Sequence, residues 1–147
     1  MLTEKDYCDY ETCVALKELG YKVPTSAYYM PNNNQLIFVS NPFRGGYVVD
    51  CFRSHNSFPK DVMTSNYIDA PTMWETQKWL REEKQIEANA SFDKMDDGWI
   101  AFIQRLDYPD LCGTDVFSTV YNTYESALLV SIKEAVKILK EELNEEA

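Results

Sequence analysis

Apolar positions in the chain recur with helical spacing in three stretches and with strand character between them. Over Tyr10–Leu19, Cys13, Leu16 and Leu19 fall on one side together with Thr12, which predicts an amphipathic helix. Asp9 stands where a side-chain oxygen caps the first turn, and Gly20 where a left-handed residue ends the last. A second helix is predicted over Pro71–Ile86. Pro71 suits a first turn, Thr72 and Glu75 have the spacing of a capping box, and Met73, Thr76, Trp79 and Leu80 share a face. The third, Tyr124–Leu143, carries the longest stripe: Tyr124, Leu128, Ile132, Ala135, Leu139 and Leu143, with Thr123 as its cap and Lys133, Lys137, Lys140 and Glu141 opposite.

Between the helices the pattern turns β-like. Ala27–Met30 and Gln35–Val39 flank Pro31-Asn32-Asn33-Asn34, a run with the dihedral preferences of a turn, and read as a hairpin. Tyr47–Phe52 reads as a further strand, after a loop containing Pro42 and Gly45-Gly46. Ile86–Phe92 and Trp99–Ile103 flank Asp97-Gly98, the strongest two-residue hairpin signal in the chain. Val116–Tyr121 follows a loop around Pro109 and Gly113, whereas Arg53–Asp69 shows no period. The order α-β-β-(β)-α-β-β-β-α predicts a single α+β domain over residues 1–147. Its expected core is one antiparallel sheet of about five to six strands covered by three helices. No internal repeat or linker divides it.

Composition narrows function chiefly by exclusion. The 147 residues, 45% hydrophobic, suffice for a core without metal or disulfide staples. A net charge of −10 and one histidine argue against phosphate backbones, anionic membranes and most histidine-based chemistry. With no signal-like N-terminus and no apolar run of spanning length, a soluble, cytoplasmic protein is expected. Cys8, Cys13, Cys51 and Cys112 are scattered, without a C-x-x-C pair, and suit reduced thiols.

Three segments together resemble a family of small uncharacterised proteins from bacteriophages and prophages of gut bacteria. They are Asp9–Tyr21, with Ala15-Leu16-Lys17-Glu18-Leu19-Gly20-Tyr21 closing it; Ala70-Pro71-Thr72 through Lys78-Trp79-Leu80-Arg81-Glu82; and Tyr124-Glu125-Ser126-Ala127. The resemblance covers the helices, about a third of the chain. It implies a mobile-element setting and no established activity.

Several side-chain groups offer chemistry. Cys8, Cys13, Cys51 and His55 are zinc-type ligands, but their spacing forms no knuckle, and Cys13 lies on an apolar helix face. Cys51 and His55 are a possible thiol and imidazole, with no acidic orienter or oxyanion donors in view. Asp93, Asp96 and Asp97, then Asp107, Asp110 and Asp115, are better explained by turns than by a calcium loop or an acid/base pair. No nucleotide-binding or hydrolase motif occurs, and no cofactor is implied. The order from Pro71 to Leu143 matches a double-stranded-RNA-binding domain, yet no lysine lies in the first two turns of the last helix.

Trp74, Lys78 and Arg81 lie together on the side of the second helix away from Trp79. A tryptophan flanked by cations on an exposed helix face is an anchor for a protein partner; the alternative is packing of Trp74 against the middle loop. The expectation is therefore a non-catalytic, phage-type accessory protein that binds another protein, such as a host factor, or itself, without direct contact to nucleic acid or membrane. An acidic chain also fits a host factor's basic, nucleic-acid-binding surface. The alternative is a small-ligand-binding domain or hydrolase using the Asp-rich loops or Cys51 and His55.

Overall fold

A computed structural model describes residues 3–23, 25–30, 34–38, 68–107, 114–115 and 119–146. The chain is α+β and gathers into two compact units, Met1–Thr72 and Met73–Ala147.

In the first unit a short 3-10 turn, Glu4–Asp6, precedes helix α1, Tyr10–Glu18. Asp9 Oδ1 accepts the Thr12 N–H at 3.0 Å, satisfying one of the donors that a helix start leaves open. At the other end Gly20 adopts φ +96°. This lets Tyr21 N–H reach the Leu16 carbonyl at 2.9 Å and Gly20 N–H the Lys17 carbonyl at 3.1 Å, the paired bonds of a Schellman cap. Thr12, Cys13 and Leu16 are buried, with Leu19 beside them, as the spacing predicts. Strands β1, Ala27–Tyr29, and β2, Leu36–Phe38, form the predicted hairpin, with Tyr28 opposite Ile37. Asn34 supplies a left-handed residue at its turn, with φ +55°.

Strand β3, Ile68–Asp69, pairs antiparallel with the other side of β1 and makes the order β2-β1-β3. It lies in the stretch without a period. Two residues are too few to show alternation, and their pairing is with a distant segment. The strand predicted over Tyr47–Phe52 and the rest of the middle loop up to residue 67 lie outside the described residues.

In the second unit, helix α2 runs from Met73 to Glu83 and buries Met73, Thr76, Trp79 and Leu80. It stops before the predicted Ile86 because Gln85 takes φ +57°, which turns the chain into β4, Ile86–Asp93. β4 pairs along its whole length with β5, Gly98–Arg105, from Ile86 opposite Arg105 to Asp93 opposite Gly98. The connection is a four-residue loop, 94–97, rather than a two-residue Asp-Gly turn. Asp93 Oδ1 accepts the Met95 N–H at 2.9 Å, which starts the turn from its first residue, and Asp97 closes it with φ +52°. Gly98 is then the first strand residue, needed for close approach to Val120 and Tyr121.

Strand β6 is placed at Thr114–Asp115, opposite Ile103 and Phe102, and Tyr121 makes a separate bridge to Trp99. Residues 116–118 of the predicted strand lie outside the described set. Helix α3, Tyr124–Glu146, packs across β4 and β5 and also meets α2. Thr123 Oγ1 accepts the Ser126 N–H at 3.1 Å, as its capping role requires. Leu128, Ile132 and Ala135 are buried, but Leu143 is 48% exposed. A helix of 23 residues spans about 35 Å, whereas the eight-residue strands beneath it span about 27 Å, so its last turns outrun the sheet.

Among the described residues the strands form two three-stranded antiparallel sheets, β2-β1-β3 and β4-β5-β6, where one sheet of five to six strands is expected from the sequence. Each hairpin acquires its third strand within its own unit. Hydrophobic period identifies a strand but carries no record of its partner, and that is why the count of strands is close and the division is not foreseen. No helix among the described residues is long and apolar enough to cross a membrane.

Candidate interaction surface

The three residues singled out on the second helix come together in the structure. At 100° per residue, Lys78 lies 40° and Arg81 20° from Trp74 around the α2 axis, so the three form one stripe. The stripe points away from buried Met73, Thr76 and Leu80. Trp74 is 39% exposed and Lys78 exposed, whereas Trp79, on the inner side, is 8% exposed. The two tryptophans are therefore separated by the helix itself. The inner ring is core, with Lys84 Nζ 5.4 Å from its centroid, and the outer ring sits on the surface.

Contacts from the same helix hold the stripe in place. Trp99 exchanges both backbone hydrogen bonds with Tyr121, at 2.7 and 2.8 Å, so its polar groups point away from β4. By the alternation of an antiparallel ladder, Phe92, Ala90, Ala88 and Ile86 then turn their amides and carbonyls to the edge of β4 away from β5, which pairs with no strand among the described residues. Gln77 Nε2 donates to the Ala88 carbonyl at 2.7 Å, and Asn89 Oδ1 accepts the Ala90 N–H at 2.8 Å and the Tyr124 hydroxyl at 3.2 Å. Side chains thus occupy part of an edge that would otherwise be open to strand addition. Gln77 at the same time pins α2 to the sheet. Arg81 Nη1 lies 3.6 Å from Glu87 Oε2, with 42% of the Arg81 side chain still exposed, which orients the guanidinium without burying it. Neither Gln77 nor Glu87 is legible as a positioning residue in sequence, because each acts across a helix–strand contact that no local spacing encodes.

The side chains of the alternative chemistry that lie among the described residues are engaged elsewhere. Cys8 and Cys13 are buried, with 0% and 1% exposure, and form no disulfide with each other. Cys13 Sγ donates to the Cys8 carbonyl at 3.6 Å, and the Tyr29 hydroxyl donates to the same oxygen at 2.8 Å. Burial pushes the Cys13 thiol pKa far up, and it also raises that of Tyr29, so both stay protonated. A protonated core thiol is a poor nucleophile. Asp93 is occupied in its turn, with Met95 N–H at 2.9 Å and Asp96 N–H at 3.4 Å. Asp107 is joined to Arg105 by two hydrogen bonds of 3.1 and 2.9 Å, which hold its carboxyl below the usual range. Cys51, His55, Asp110 and Cys112 lie outside the described residues. Among the described residues no three His, Cys, Asp or Glu side chains form a metal-binding group.

Comparison with protein-family models, with curated proteins and with solved structures finds no match to this chain.

Proposed function

We propose that this protein is a non-catalytic accessory protein that acts by protein–protein contact through the outer face of α2. The observation that carries this reading is the surface position of Trp74 on the same stripe as Lys78 and Arg81. Tryptophan and arginine are the residue types that concentrate binding energy at interfaces, because each combines a large contact area with a directional polar group. An exposed indole otherwise keeps apolar surface in water, at about 25 cal/mol per Å².

A bacterial cytoplasm and a phage or prophage setting belong to the same proposal, carried by the resemblance of the three helices. The net charge of −10 fits that role: it disfavours nucleic acid as a direct ligand and keeps the small chain soluble while one local patch is cationic and aromatic.

Site-specific photo-cross-linking in bacterial cells tests the surface. A photoreactive aromatic residue in place of Trp74 is expected to yield a discrete cross-linked species, absent when the same group replaces Lys137 on the exposed side of α3. Equal yields at the two positions, or none at residue 74, would contradict the reading.

A further inference from the structure

We draw no further inference here: the strongest candidate, the surface patch at the tip of the β4–β5 hairpin, where Phe92 and Met95 are 47% and 94% exposed beside Asp93, Asp96 and Asp97, is an apolar and acidic surface, and nothing in the structure shows what covers it.

Discussion

At the scale of single residues, Gly98 shows most plainly what sequence alone conceals. Its place after Asp97 reads as the second half of a tight turn, but the structure makes it a strand residue on which Val120 and the Tyr121 carbonyl close in. A Cβ there would meet the carbonyl oxygen at 2.9 Å and collide with the Val120 side chain. Gly98→Ala should therefore destabilise the fold by about 1–3 kcal/mol, the usual cost of forcing a methyl into packed space. Urea unfolding would show it; an unchanged midpoint would mean that Val120 yields freely.

Cys13 offers a second test at this scale. A thiol 1% exposed, hydrogen-bonded and held protonated should escape alkylation in the native protein and react only on unfolding, as should Cys8. Mass-spectrometric mapping of the modified cysteines separates the outcomes, and rapid native labelling of either would contradict their place in the core. Raised pKa values for Cys13 and Tyr29 also fix a sign. Their contribution to stability is complete below the unfolded-state ionisations, near pH 8.5 and 10, and is lost as the pH rises above them.

At the scale of elements, caps and helix faces were legible because they depend on neighbours in sequence. Asp9 and Thr123 bond their helix starts as their positions imply. Asp9→Ala should cost about 1 kcal/mol. The buried faces of α1 and α2 likewise follow from spacing alone. The four-residue hairpin loop, the two-residue strand β3 and the exposure of Leu143 were not legible. The first turns on the Asp93 side-chain bond, the second on a distant partner, and the third on the relative lengths of a helix and a sheet.

Arg105 ties these last elements together. Its Nη1 donates to both carboxylate oxygens of Glu142, 2.8 Å to Oε2, while Asp107 takes Nε and Nη2. The pairing joins the end of β5 to the overhanging turns of α3. Arg105→Met should lower stability by about 1 kcal/mol at neutral pH, a figure discounted for the half-exposed carboxylates. Asp107 has a depressed pKa, so its favourable pairing is present at neutral pH and is lost as pH falls below about 4. The gap between parent and variant in denaturant melts should accordingly narrow between pH 7 and pH 3. A gap independent of pH would point to packing rather than charge.

At the scale of the whole molecule, an acidic excess surrounds a stripe on α2 that carries Trp74, Lys78 and Arg81. The charge disfavours phosphate backbones, and in the proposed reading the stripe offers a partner protein its local contact. Composition announces the first property directly. The stripe was legible because i, i+4 and i+7 spacing fixes which side of a helix a residue occupies, although the contacts that pin it to β4 were not.

Fluorine NMR of the chain labelled with 5-fluorotryptophan reads the central claim at the residue concerned. Three resonances are expected, one for each tryptophan, and Trp74→Phe identifies its own by deletion. The account predicts a full solvent isotope effect at the surface Trp74 and a reduced one at buried Trp79. A Trp74 signal as insensitive to solvent as that of Trp79 would contradict it.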